Sequence, residues 1–142
     1  MPQSSIFIHL IWSTKNRFPF ITKDLKPQLL AFLKQYSIDN SIKIEAVNCV
    51  EDHIHILISL GTGQMVAKLV RLQKGASSFW INKNNLSKEK FEWQDSYIAL
   101  SVSLTSVSKV KQYIANQEEH HRKTTFTEEY NKFMEGYNLK DE

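Results

Sequence analysis

At 142 residues and 16.6 kDa the chain has the length of one ordinary domain, so any chemistry is expected from residues assembled within that unit or across a self-interface. Its 42% hydrophobic and 11% aromatic residues suffice for a core, and 23% charged residues without a low-complexity tract exclude an intrinsically disordered chain. No apolar run approaches the ~18 residues of a membrane span, Met1–Ser5 lacks the basic start of a secretory signal, and a formal charge of +3 permits nucleic-acid binding without requiring it; a cytoplasmic protein is expected.

The first element is a β-rich run from Ser5 to Ser13, followed by a basic loop, Lys15 to Phe20, punctuated by Pro19. Asp24 is placed to cap a helix in which Leu25, Leu29, Phe32, Leu33 and Tyr36 recur at helical spacing up to Asp39-Asn40. Ile42, Ile44 and Ala46 alternate with Lys43 and Glu45, and His53 to Leu60 alternates again after the polar pair Glu51-Asp52, which predicts an antiparallel hairpin. Cys49, the sole cysteine, excludes an internal disulfide and a cysteine zinc cage, and its place in a strand pattern reads as a small buried hydrophobe.

After Gly61-Thr62-Gly63 a second helix is predicted with Val66, Leu69, Val70, Leu72, Ala76 and Phe79 on its apolar side, ending before Asn84-Asn85. Lys83 to Asp95 reads as a polar loop and Ser96 to Leu104 as a last strand; Thr105 or Ser106 then caps a helix that buries Val107, Val110 and Ile114. Thr125 with Glu128 fits a capping box for a short docking helix with Phe126, Tyr130, Phe133 and Tyr137 on one stripe, closed by Gly136. The order is β-α-β-β-α-β plus C-terminal helices, an α+β fold of the ferredoxin-like pattern with an antiparallel sheet and its helices on one face.

Alternation along the third strand sets His53, His55, Leu57 and Ser59 on one face and Ile54, Ile56, Ile58 and Leu60 on the other. Two imidazoles at i and i+2 can share one divalent cation, with Glu51 or Asp52 orienting them or adding a ligand, or they can be solvent-facing or hydrogen-bonded histidines without a metal. On the helix after the last strand, Tyr113, Asn116, Gln117 and His120 gather on a face apart from the Val107-Val110-Ile114 stripe, and His120-His121 stand at the helix end, where cations favour the carbonyl dipole. Lys15, Arg17, Lys68, Arg71, Lys74, Lys109, Lys111, Arg122 and Lys123 are the cations suited to a phosphate backbone. Trp12, Phe18 and Trp93 can stack on unpaired bases or pack in the core, with packing favoured for Trp12.

Four segments together resemble a family: His9-Leu10-Ile11-Trp12-Ser13-Thr14-Lys15-Asn16-Arg17, Glu51-Asp52-His53-Ile54-His55-Ile56-Leu57-Ile58, Trp93-Gln94-Asp95-Ser96-Tyr97, and Tyr113-Ile114-Ala115-Asn116-Gln117-Glu118-Glu119-His120-His121. In residues and in order they are similar to the HUH single-tyrosine transposases, those of the smallest insertion sequences and the REP-associated tyrosine transposases, over residues 5 to 135. The resemblance implies one transposase domain over 1–142, with a core of about 5–121 and a tail of about 122–142. It implies His53 and His55 as metal ligands, Gln117 as the third and Tyr113 as the nucleophile. It also implies Mg²⁺ or Mn²⁺ as cofactor, and single-stranded DNA cut beside a hairpin through a 5′-phosphotyrosine link with release of a 3′-hydroxyl. A homodimer is implied as well, in which the tyrosine helix serves either its own histidines or the partner's. A non-catalytic ferredoxin-like nucleic-acid-binding protein, or a hydrolase in which water replaces Tyr113, are the alternatives.

Overall fold

The computed structural model describes residues 3–119, 127–129, 131 and 132. Strand β1 (Phe7–Ser13) is followed by a short 3-10 turn at Lys15–Arg17 and helix α1 (Leu25–Asp39); β2 (Lys43–Cys49) and β3 (His53–Ser59) form the hairpin; α2 (Val66–Lys83), β4 (Ile98–Val102) and α3 (Val107–Ala115) complete the order. The sheet runs β2-β3-β1-β4 with every pairing antiparallel, the split arrangement expected from the sequence pattern. The four strands are predicted correctly in kind and order, with β1 starting two residues later than expected and β4 two residues shorter at each end.

Burial follows the pleat. Leu10 and Trp12 of β1 and Ile54, Ile56 and Ile58 of β3 face α1 and α2, meeting Leu25, Leu29 and Leu33 of one helix and Leu69, Val70 and Ile81 of the other. On the opposite face Leu57 and Val102 pack with Ile114 of α3, joined by the partly buried Val107, Val110 and Tyr113. The sheet is therefore covered on both sides at its centre, and all residues from His53 to Ile58 are buried. His53 and His55 do not face solvent.

Local differences from the sequence reading have physical causes. The N-terminus of α1 is capped by Thr22, whose Oγ1 accepts from Leu25 N–H at 3.2 Å, while Asp24 makes no cap bond. In α2 the side turned to the core carries the polar Gln73 and Ser77 beside Leu69, Val70 and Ile81, and Phe79, predicted to be buried, is exposed. Gln73 and Ser77 serve a small buried network: Gln73 Nε2 donates to Ser37 Oγ of α1 at 3.3 Å, and Trp93 Nε1 donates to Ser77 Oγ at 2.8 Å. The loop after α2 is not wholly polar in role, because Phe91 and Trp93 turn inward, Trp93 meeting Trp12 edge to face at 6.0 Å. Trp12 and Trp93 are thus packing residues, whereas Phe18 is exposed beside Phe20.

Helix α3 ends at Ala115, earlier than the Tyr113–Gln117 face requires. The Nδ2 of Asn48, on β2, donates to the carbonyls of Ile114 at 2.9 Å and Ala115 at 3.2 Å, supplying partners to the oxygens a helix end leaves bare. Asn116 caps the helix, and Gln117–Glu119 form a separate helical turn. His120, His121, Arg122, Lys123, Phe126, Tyr130, Phe133, Gly136 and Tyr137, with Thr125 of the predicted capping box, lie outside the described residues. We expect Asn48→Ala, which removes this side-chain cap, to cost about 1–3 kcal/mol. Phe79→Ala, at an exposed site, is expected to change stability by less than ~0.5 kcal/mol; urea unfolding followed by circular dichroism measures both.

Candidate active site

The central pairing of β1 with β3 brings the polar side chains together. In the register Ile11 faces His55 and Ser13 faces His53, so His9, one pleat away, stands diagonal to His55 on the same face. His9 and His55 are hydrogen bonded, Nε2 to Nδ1, at 2.8 Å, both rings buried. Burial, then the neighbouring His55, lower the pKa of His9 to about 3, which keeps it neutral. A neutral His9 can accept from the His55 Nδ1–H, which leaves His55 Nε2 facing away from the strand pair.

His53 is oriented in the same sense by its neighbour in sequence. Asp52 Oδ1 lies 2.8 Å from His53 Nδ1, and the Asp52 carbonyl is itself held by Thr14 N–H at 2.9 Å, at the end of β1. Burial alone would depress the pKa of His53, but the hydrogen bonds of Asp52 and Glu129 outweigh it and raise it above the ordinary histidine value. The surroundings therefore favour positive charge at this point.

Both Nε2 atoms look toward α3 and the segment that follows it. Gln117 Nε2 is 3.2 Å from His53 Nε2, and Gln117 is fully buried. Glu129, also buried, sets Oε2 3.2 Å from His53 Nε2 and Oε1 3.0 Å from His55 Nε2, while Gln117 Nε2 donates to those oxygens at 3.2 and 3.3 Å. The Tyr113 hydroxyl donates to Glu129 Oε1, and its ring meets the His55 ring edge on at 5.7 Å. Burial, then the Glu129 carboxylate, raise the Tyr113 hydroxyl above the ordinary phenol value. Burial works against the charge on Glu129, yet its hydrogen bonds to His53 and His55 hold it far below the usual carboxylate range.

The donor set fits a divalent metal ion. His53, His55 and Glu129 offer one ligand atom each, all within 4.8 Å of one another. Gln117 adds an amide whose Oε1 is buried with no hydrogen-bond partner among the described residues, and exchanging the two amide atoms aims that oxygen at the cluster. Two imidazoles, each with its far nitrogen held by a neighbour, match the way proteins orient metal-binding histidines.

The residues singled out from the sequence separate into two groups. His53, His55, Tyr113 and Gln117 converge on one site within a single chain. The cations do not form one patch. Lys15 pairs with Glu92 at 3.6 Å, and Arg17 donates to Thr127 Oγ1, close in sequence to Glu129. Lys74 donates to the backbone carbonyls of Gln94, Asp95 and Ser96 and so closes the loop before β4. Lys68 and Arg71 are exposed on α2, on the face of the sheet opposite α3, which bears the exposed Lys109. Lys111 pairs with Glu45 of β2 at 3.3 Å, and Arg122 lies outside the described residues. Cys49 is buried, its thiol pushed up to about 12 by burial, which rules it out as a thiolate at neutral pH.

Sequence reasoning missed three contributors. His9 lies in a quoted motif, but its part depends on a cross-strand diagonal that only register reveals. Asn48 shows no periodic signal. Glu129 belongs to the tail, more than seventy residues beyond the histidines, where nothing in its neighbourhood marks it as facing the sheet.

The geometry has close relatives. A protein-family model described as "Transposase IS200 like" matches residues 2–117. The ISDra2 transposase TnpA of Deinococcus radiodurans is 26% identical over 114 residues, covering 77% of this chain and 81% of that protein. A crystal structure of a candidate transposase from Deinococcus radiodurans R1 superposes with a TM-score of 0.67 at 26% identity, over 82% of this chain and 93% of the other. A REP-associated tyrosine transposase bound to a REP hairpin shares the fold, with a TM-score of 0.63 at 14% identity over 85% of this chain and 73% of the other. With the family match spanning most of its length, the chain belongs to the IS200-like transposase family.

Proposed function

We propose that this transposase nicks and rejoins single-stranded DNA next to a hairpin, with Tyr113 as nucleophile. The observation that carries the reading is the meeting of Tyr113 with His53, His55 and Gln117 at one buried site. His53, His55 and Gln117 would hold Mg²⁺ or Mn²⁺, which when bound supplies positive charge to a phosphate oxygen and leaves positions open for substrate. Asp52 and His9 fix the two rings so that their Nε2 atoms face that point.

The reaction is a transesterification. Tyr113 Oη forms a bond to phosphorus as the bond from phosphorus to the 3′ oxygen breaks; the tyrosine loses its proton and the departing oxygen gains one, leaving a 5′-phosphotyrosine and a free 3′-hydroxyl. Since Tyr113 is protonated at neutral pH, its proton must leave during attack, and Glu129, which accepts the hydroxyl's hydrogen bond, orients it. The phosphotyrosine ester retains the bond energy of the phosphodiester, so a 3′-hydroxyl can reverse the attack and join strands without a nucleotide cofactor.

The substrate preference is supported by access: a scissile phosphate must reach a half-buried tyrosine beside buried histidines, and bending a regular duplex into such a place costs several kcal/mol. The hairpin carried by the REP-associated relative points the same way. Lys15, Arg17 and Lys109 are the candidates for backbone contact near this face, and Lys68, Arg71 and Lys74 for contacts farther along the strand; Arg122, outside the described residues, is a candidate from the sequence. A homodimer belongs to the same reading; β2 and β4 are the outer strands of the sheet and offer edges for pairing between copies.

Incubated with Mn²⁺ and a single-stranded oligonucleotide bearing its cognate hairpin, the wild-type chain should form a denaturation-resistant DNA adduct that peptide mapping places on Tyr113. Tyr113→Phe should abolish the adduct and retain hairpin binding; cleavage without an adduct would instead mean attack by water. His53→Ala and His55→Ala should each lower the cleavage rate by at least ~100-fold, in line with loss of a group acting directly in the reaction. Because both rings are buried, thermal unfolding of each variant must accompany the assay, and wild-type activity in either folded variant overturns the metal reading. Sedimentation equilibrium tests the dimer: a monomer at tens of micromolar removes it.

A further inference from the structure

Glu129 reaches the site from beyond residue 117, where the family match ends, and it is the sole carboxylate that touches both imidazole Nε2 atoms among the described residues. A buried carboxylate is costly unless paired, so its position demands a positive partner. Two imidazoles and an amide carry no negative charge when they bind a metal, and a hard dication prefers anionic oxygen. The spacing also admits a ligand set, since one atom from each of His53, His55 and Glu129 lies within 4.8 Å of the others. Donors bound at about 2.1 Å to one octahedral cation stand about 3 Å apart along its edges. Here the Glu129 oxygens, His53 Nε2, His55 Nε2 and the Gln117 amide are separated by 3.0 to 3.3 Å along their contacts.

We propose that Glu129 is a fourth protein ligand to the divalent cation, joining His53, His55 and Gln117, and that its charge tilts the site toward Mg²⁺ and Mn²⁺ over Zn²⁺. The inference rests on the reading of His53 and His55 as metal ligands. Through Oε1, which accepts the Tyr113 hydrogen bond, the same carboxylate also orients the Tyr113 hydroxyl beside His55.

Calorimetric titration of the full chain with MnCl₂, MgCl₂ and ZnCl₂ tests this on wild type, Glu129→Gln and His53→Ala. Glu129→Gln should weaken Mn²⁺ and Mg²⁺ binding by about 10–100-fold or more and Zn²⁺ binding by less, while His53→Ala should weaken all three. If Glu129→Gln binds Mn²⁺ as tightly as wild type or more tightly while His53→Ala does not bind, Glu129 is an internal counter-ion that the metal displaces, and the proposal falls with the metal site intact. If His53→Ala binds like wild type, the metal reading falls and takes this inference with it. Should Glu129→Gln not fold, ¹³C NMR of the wild-type glutamate carboxyls during Mg²⁺ titration decides: the Glu129 signal should move and saturate together with the His55 imidazole ¹⁵N signals. Movement to the position of a solvent-exposed glutamate overturns the proposal.

Discussion

The antiparallel pairing of β1 with β3 at the centre of the sheet is the constraint on which everything else depends. With a side-chain period of two, it commits the isoleucines of β3 to the α1–α2 core and its histidines to the other face in one stroke. A slip of one residue would put imidazoles into the aliphatic core and isoleucines beside the tyrosine. Fold and site are thus specified by the same register, and the chain cannot satisfy one without the other.

The second face could have been left wet, as antiparallel sheets often are. Instead Leu57, Val102 and Ile114 pack on it, and His9, His53, His55 and Gln117 are buried as well. Burial at this point raises the stakes of every polar contact, since each hydrogen bond is stronger and each missing one costs more. The network answers with a chain of orienting partners, Asp52 to His53 and His9 to His55, that closes on Glu129 and Tyr113. The buried Gln117 oxygen has no hydrogen-bond partner among the described residues.

What the sequence revealed follows from which signals are local. Alternation along Ile54 to Ile58 and helical spacing along Leu25 to Leu33 are periodic, and both elements formed where the pattern put them. The His53–His55 face followed from the same period. Phe79 failed because helical spacing marks a stripe without saying how wide the neighbouring surface is, and Gln73 and Ser77 took the core side through bonds to Ser37 and Trp93. The end of α3 was hidden for a related reason. Tyr113 and Gln117 are four apart, which suggests one continuous face, but an asparagine sixty-six residues earlier than Ile114 stops the helix between them.

That interruption bears on how sharply the tyrosine can be aimed. Helix α3 starts from an exposed 3-10 turn at Leu104–Ser106 and is gripped near its other end by two side chains of β2, Asn48 on the terminal carbonyls and Glu45 on Lys111. A rod clamped beside one end wanders little there, whatever its far end does. Tyr113 sits within one turn, about 5 Å of rise, of both grips, so angular play in the helix translates into only a small displacement of the hydroxyl. Gln117, on the separate turn beyond Asn116, lies outside the clamp and is held instead through its amide by His53 and Glu129.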